Sequence, residues 1–269
     1  MSQTKFFRAF ITASLTSGLG VGLFSIATEA KSSNTHKPMP SSMHLAKCGG
    51  VIKAIQFKPP KFESQSSLGR EQATTRCGGY HTLHGERAIS LLPETANSLT
   101  TSSHPTLLIY NPYSSIREAE FSIFSRSSNG DDGAYDATIS LPERRGIISI
   151  PIPQSVTLEP GKTYQWALAF VVEEAEPSVM PLLQGSIQPI ALSPELAKRL
   201  RSAAPEQLPA IYAENGIWLD ALSSLANLRC AKPNKPAVLA DWRSLLTQVN
   251  LSKYAGETLL QCDRSTAKQ

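Results

Sequence analysis

Residues 182–200 read LLQGSIQPIALSPELAKRL, and the spacing of apolar positions changes within them. Leu182–Ile187 is a short apolar run of strand type, whereas from Ser193 onward the sequence turns helical. Ser193-Pro194-Glu195 offers a capping hydroxyl, a proline at the first helical position and an acid in the first turn. Those three groups suit the unpaired N–H groups and the positive end of a helix. The strand signals precede this junction and the helix signals follow it, so the chain is expected to be β first and α second.

Upstream of the junction the period is two. Ala119, Phe121 and Ile123 alternate with Glu120 and Ser122; Tyr135, Ala137, Ile139 and Leu141 alternate with Asp136, Thr138 and Ser140. Ile148, Ile150 and Ile152 follow, then Tyr164, Trp166, Leu168, Phe170 and Val172. With runs at Ala88–Leu92, Leu107–Tyr110 and Leu182–Ile187 this predicts about seven strands. Asn111-Pro112, Asn129-Gly130-Asp131-Asp132-Gly133, Arg145-Gly146 and Glu159-Pro160-Gly161 are the turns between them. No helical segment interrupts the series, so residues 77–192 are expected to form an antiparallel, immunoglobulin-like β-sandwich with the Trp166 strand central.

Downstream, three further helices are expected after the one at Ser193: about Pro205–Glu214, Trp218–Arg229 and Pro236–Val249. Trp218, Ala221, Leu222, Leu225 and Leu228 share one helix face; Leu239, Trp242, Leu245, Leu246 and Val249 share another. Asn215-Gly216 and Lys232-Pro233-Asn234 are the breaks. Tyr212, Gly216, Trp218, Ala221, Leu225, Leu228 and Pro233 are spaced like the second half of a tetratricopeptide repeat. A lone half-repeat leaves a face to cover, so the module, residues 193–251, must pack on the sandwich or on a partner. Residues 252–269 are read as a tail.

At the other end, Lys5 and Arg8 flank an uncharged, moderately apolar stretch from Ala9 to Ala27, and Thr28-Glu29-Ala30 places small residues where a signal peptidase reads. Residues 1–30 are therefore expected to be a signal peptide, which places the chain outside the cytoplasm, in the periplasm or at the cell surface. No integral membrane span is expected once it is removed. The formal net charge of +4 hides three unlike parts. Residues 31–87 carry 9 Lys/Arg against 3 Asp/Glu, residues 88–192 carry 5 against 11, and residues 193–269 carry 10 against 7. Residues 31–76 are read as a basic, low-complexity, largely disordered arm with one apolar cluster at Val51, Ile52, Ile55 and Phe57. Such an arm suits attraction to the acidic middle of its own chain. It gives no reason to expect nucleic acid as a partner.

Several stretches resemble a largely cyanobacterial family of exported proteins catalogued as domain of unknown function 928. They are Arg76-Cys77-Gly78-Gly79, Ser103-His104-Pro105-Thr106, Tyr110-Asn111-Pro112-Tyr113, Gly146-Ile147-Ile148-Ser149 and Gly161–Trp166. The most specific is Tyr212–Leu222, followed by Pro233 and Trp242-Arg243-Ser244-Leu245-Leu246. The resemblance covers roughly residues 76–251. It implies a cell-envelope location and a sandwich followed by helices, and it carries over no catalytic residue.

Chemistry-bearing constellations are sparse. Cys48, Cys77, His81 and His84 have metal-like spacing, but tight paired cysteines are lacking and an oxidising compartment favours disulfides, so no metal is expected. Cys48 with Cys77 and Cys230 with Cys262 are one of three complete pairings, among which spacing does not choose. Asn129, Asp131, Asp132 and Asp136 read as a hairpin turn with solvated acids rather than a calcium loop. Glu173, Glu174 and Glu176 read as a solvated loop. His104, with Ser102, Ser103 or Asp136 as partners, is the one conceivable hydrolytic base, and no Gly-x-Ser-x-Gly elbow accompanies it. Tyr110 and Tyr113 flank a turn where wet aromatic rings would suit a sugar. The expected function is a non-enzymatic, cofactor-free envelope protein that binds or scaffolds a protein or polysaccharide. The rivals are an envelope hydrolase built on the sandwich and an accessory of an export system.

Overall fold

The computed structural model describes residues 54–60, 86–95, 97–127, 130–172, 180–260 and 262, with backbone alone over 126–127 and 130–134; all lie in one unit, Gly50–Gln269. Among the described residues, eight strands precede four α-helices. The strands are β1 (Ile89–Ser90), β2 (Asn97–Thr100), β3 (Thr106–Asn111), β4 (Glu118–Ser127), β5 (Gly130–Ser140), β6 (Gly146–Pro151), β7 (Tyr164–Val171) and β8 (Leu182–Pro189). They form a three-stranded sheet, β1-β3-β6, and a five-stranded sheet, β2-β8-β7-β4-β5.

The alternation read from the sequence is what places these strands. In β4, Ala119, Phe121 and Ile123 are buried while Glu118 and Glu120 are exposed, so one face meets the core. Strand β7 lies between β4 and β8, and its interior is buried on both faces; Trp166 is 1% exposed. Apolar residues of both sheets and of the helices share one core cluster.

Among the described strands, one pairing differs from the all-antiparallel expectation. Strand β2 runs parallel to β8, with Asn97 opposite Ser186 and Thr100 opposite Pro189. Strand β2 also escaped the sequence reading because its residues, NSLT, are mostly polar. Their burial is possible because polar groups meet: the Ser186 hydroxyl donates to Asn97 Oδ1. Period-two alternation reports which face of a strand is buried and carries no information about a distant partner's direction.

The helices are α1 (Pro194–Ser202), α2 (Leu208–Glu214), α3 (Trp218–Ala231) and α4 (Pro236–Thr247), with a 3₁₀ turn at Pro205–Gln207 ahead of α2 and another at Ser252–Tyr254. Ser193 caps α1 by accepting from Leu196 N–H at 3.2 Å. Ser193→Ala is expected to cost about 1 kcal/mol of stability, measured by urea denaturation. The apolar face expected for α3 is buried throughout. In α4 the expectation fails at Leu239, which is 38% exposed, while Val238 is buried in its place. Val238, Trp242 and Leu245 stand at i, i+4 and i+7 and form the buried stripe with Leu246, which leaves Leu239 at its edge.

Two stretches assigned to arm and tail are ordered. Residues 252–260 continue onto the three-stranded sheet: Ile147 N–H donates to Thr258 O at 2.8 Å, and Leu260 N–H donates to Ile147 O at 2.9 Å. Tyr254, Leu259 and Leu260 are buried. Gly146, at φ +148°, makes room for this crossing, since a Cβ there would stand 2.8 Å from Thr258 O. Residues 54–60, inside the stretch read as a disordered arm, lie extended against the helices.

Candidate functional site

Helices α2 and α3 meet at Gly216, whose φ of +74° is the left-handed turn conformation that glycine adopts without steric cost. Helix α3 begins two residues later with Trp218, which is fully buried and donates its indole N–H to Leu91 O at 2.8 Å. Helix α4 ends at Gln248, its C-cap. Across these three points runs the strap, residues 54–60. The Gln248 amide reads its backbone with both ends: Oε1 accepts from Phe57 N–H at 2.8 Å, and Nε2 donates to Ile55 O at 2.8 Å. Lys58 N–H then donates to Ala213 O at 3.0 Å, at the end of α2. The Phe57 ring packs edge-on against Trp218 with centroids 4.8 Å apart, and Ile55 is 3% exposed. A Cβ on Gly216 would lie 2.8 Å from Lys58 O, so the strap backbone rests directly on the α2–α3 turn.

Beside Ile55 the groove continues into a cavity of about 410 Å³, lined by Arg199 and Ser202 of α1, Glu206, Ile211 of α2 and Asp241 of α4. Burial pushes the Asp241 carboxyl above its ordinary range. Arg199 pairs with Glu214 at 2.8 Å, and Glu206 is paired with Lys232. The described part of the basic arm, residues 54–60, rests on the helices, where two apolar anchors and a backbone-reading amide hold it; the rest of the arm, on which its expected attraction to the acidic β region depends, lies outside the described residues.

A second cleft, of about 390 Å³, lies where β1 and β3 meet the C-terminal segment. Tyr110 O–H donates to Glu86 Oε2 at 2.9 Å, and Arg145 donates to the Tyr110 oxygen at 2.6 Å. Arg145 also faces Glu86 at 3.0 Å and Glu257 at 3.5 Å, and Lys253 sits 4.8 Å over the Tyr254 ring. Burial, then the hydrogen bond to Glu86, pushes the Tyr110 phenol well above its ordinary range. Its proton therefore stays in place, and the cluster works as a clamp joining Glu86, β3, Arg145 and Glu257.

The tyrosines expected to present rings at a turn do not face solvent. Tyr110 is 3% and Tyr113 4% exposed; Tyr110 packs on Tyr254 at 4.9 Å and Tyr113 on Phe170 at 5.2 Å. Buried Asn111 fixes the turn, accepting from Tyr113 N–H at 3.0 Å and donating to Tyr113 O at 3.1 Å. A Tyr-Asn-Pro-Tyr turn is pulled inward because that asparagine satisfies the backbone on the inside.

His104 Nδ1 lies 2.9 Å from Ser103 Oγ, and Ser102 Oγ accepts from His104 N–H at 3.1 Å. The other ring nitrogen, Nε2, is buried and meets no partner among the described residues. Asp136 is exposed on β5, at the opposite edge of the five-stranded sheet from β2, which leads into His104. No described carboxylate orients the ring as a hydrolytic base requires. Among the described residues no group of three His, Cys, Asp or Glu side chains could hold a metal ion. Cys48, Cys77, His81, His84, Asn129, Glu173, Glu174 and Glu176 lie outside the described residues. Cys230, in the last turn of α3, is bonded to Cys262.

The carboxylate of Asp220 carried no sequence signal beyond its place in the first turn of α3. Its Oδ1 accepts from the Thr101 hydroxyl at 2.7 Å and its Oδ2 from Thr101 N–H at 3.1 Å, pinning α3 to the end of β2. Burial raises its pKa above the ordinary 3.8, against the pull of those hydrogen bonds. The unfolded chain then loses this proton before the folded chain does. The carboxyl's contribution to stability therefore falls as pH rises through 3.8 and levels off above the folded value. Asp220→Asn is expected to remove that slope. Urea unfolding of both proteins between pH 3 and 8 checks it, and parallel curves would count against it.

Two sheets followed by a four-helix module, with a peptide-like strap lying on the helices, define the class. The chain matches the family Domain of Unknown Function (DUF928) over residues 71–259, and it belongs to that family. No curated protein matches it.

Proposed function

We propose that this is an exported, non-enzymatic cell-envelope protein that binds or scaffolds a protein partner through its helical module. The observation that carries the reading is the Gln248 clamp. One side-chain amide satisfies both an N–H and a C=O of an extended chain, which is recognition of backbone in the manner of a peptide groove. Phe57 against Trp218 and Ile55 beside the cavity add side-chain selection. The half-tetratricopeptide reading of α2 and α3 agrees with this, with Ala221 and Leu225 buried where the repeat places close-packing residues. The two sheets sharing one core agree with an immunoglobulin-like sandwich serving as the platform. Export is supported by the amino-terminal charge and apolar pattern and by the Cys230–Cys262 bond, since disulfides persist in oxidising compartments.

The full chain carrying Ile55→Ala and Phe57→Ala tests the groove. Its binding of a fluorescent peptide of residues 52–62 should be saturable, and a further Gln248→Ala change should weaken it about tenfold. No saturable binding overturns the groove reading. Fractionation and amino-terminal sequencing should find the mature chain outside the cytoplasm, starting near Lys31; an intact, cytoplasmic chain overturns export.

A further inference from the structure

We infer that the cavity beside Ile55 is a subsite for a basic side chain of the protein partner, with Asp241 as its counter-ion. The inference rests on the peptide-groove reading and names one residue type that the partner must carry. The cavity, of about 410 Å³, stays open while the strap is seated, so a partner reaches it without displacing residues 54–60. Three charged side chains line it: Arg199, Glu206 and Asp241. Arg199 is engaged by Glu214 at 2.8 Å, and Glu206 by Lys232 and, at 3.7 Å, by Lys235. Asp241 has no hydrogen bond and no ion pair among the described residues, although its carboxyl is partly buried. A carboxylate withdrawn from water without a partner has its charged form raised in free energy, and an arriving cation lowers it again. The upward shift of the Asp241 pKa has burial as its one cause and expresses the same imbalance. The rest of the wall matches the stem of a long basic side chain. Ile55, Ala203, Ala210 and Ile211 offer apolar surface to methylene groups. The Ser202 hydroxyl donates to Arg199 O at 3.2 Å, which leaves its oxygen to accept an N–H from the head group. Apolar walls with one unpaired anion suit an ammonium or guanidinium on a chain. An anionic ligand would meet Asp241 as a like charge, and a neutral one would leave it unpaired.

Titration of the full chain with small cations, followed by amide chemical shifts, tests it. The probes are n-butylammonium and the blocked peptide acetyl-Ala-Ala-Lys-Ala-Ala-amide; n-butanol supplies a similar stem without the charge. Both cations should shift the amides of Ser202, Ile211 and Asp241 saturably, and n-butanol should bind at least about tenfold more weakly. Asp241→Asn should weaken both cations at least about tenfold, and Asp241→Glu, which keeps the charge, should lose less. Ala210→Leu narrows the cavity and leaves the carboxylate in place, so it should weaken them too. Near-ultraviolet circular dichroism establishes that all three variants are folded. The lysine held in a peptide should bind more tightly than the free amine, because its flanking residues add contact with the helices. A free amine that binds equally well marks a site for small amines and overturns the partner subsite. Lys53 precedes the strap and lies outside the described residues. Binding of the probes by Lys53→Ala alone would mean that the chain fills the cavity itself, which also overturns it. So does the absence of saturable binding, or binding that Asp241→Asn and Ala210→Leu leave unchanged. The residue 52–62 peptide separates this failure from that of the groove. If it still binds the strap variant, Ile55→Ala with Phe57→Ala, the groove stands and the subsite is wrong; if it does not, both are wrong.

Discussion

Trp218→Ala should lower the unfolding free energy by about 4–5 kcal/mol, a large part of the 5–15 kcal/mol that holds an ordinary domain together. Trp218 is among the largest fully buried side chains, and its removal leaves a cavity where α3 meets the sheets, worth about 3–5 kcal/mol. It also removes the donor to Leu91 O, leaving a buried acceptor unpaired at a cost of about 1 kcal/mol. Trp218→Phe separates the two effects: it keeps most of the apolar volume and should cost about 1–2 kcal/mol. Urea denaturation measures both. Because Phe57 packs on the same ring, Trp218→Ala should in addition loosen the strap, seen as faster amide exchange at Phe57 and Lys58. A loss below 1 kcal/mol for Trp218→Ala would show that α3 is not seated as described.

Reduction of Cys230–Cys262 is the second large effect. The bond spans 32 residues of sequence. Closing a loop of that length removes about 3.5 kcal/mol of unfolded-chain entropy. At about 2–4 °C per kcal/mol for a chain this size, the melting temperature should drop by about 7–14 °C. The loop contains α4, the clamp at Gln248 and the segment that lies across β6, so the tail should also release Leu259 and Leu260 from the core earlier in unfolding. Calorimetry with and without reductant measures the shift. The Cys230→Ser, Cys262→Ser double variant should reproduce it and be insensitive to reductant; a wild-type melt unchanged by reductant would sink the prediction.

The acidic clamp around Arg145 illustrates how a site can be present in the sequence and remain invisible there. Glu86, Tyr110, Arg145 and Glu257 are scattered over four parts of the chain, and no spacing rule joins them. Asp220 and Thr101 are a similar case, 119 positions apart. Tyr110 and Tyr113 show the opposite error. Their turn residues were legible, but a turn signal states that the chain reverses and not which way its aromatic rings point.

The sequence by itself determined the local structure. Alternating burial and three short apolar runs placed seven of the eight described strands, the Ser193 cap and the Asn215-Gly216 and Lys232-Pro233-Asn234 breaks delimited the helices, and the DUF928-type stretches indicated the family. These are properties of neighbouring residues, since a period of two or 3.6 is set by which side chains face the core. Tertiary structure alone decided three things: the parallel pairing of polar β2 with β8, the inward turn of Tyr110 and Tyr113, and the seating of residues 54–60 on the helices. Each depends on a partner far away in sequence. The strap shows the reason most clearly, for a short stretch with two apolar anchors cannot offset its own ordering entropy and becomes ordered only where a groove satisfies its backbone.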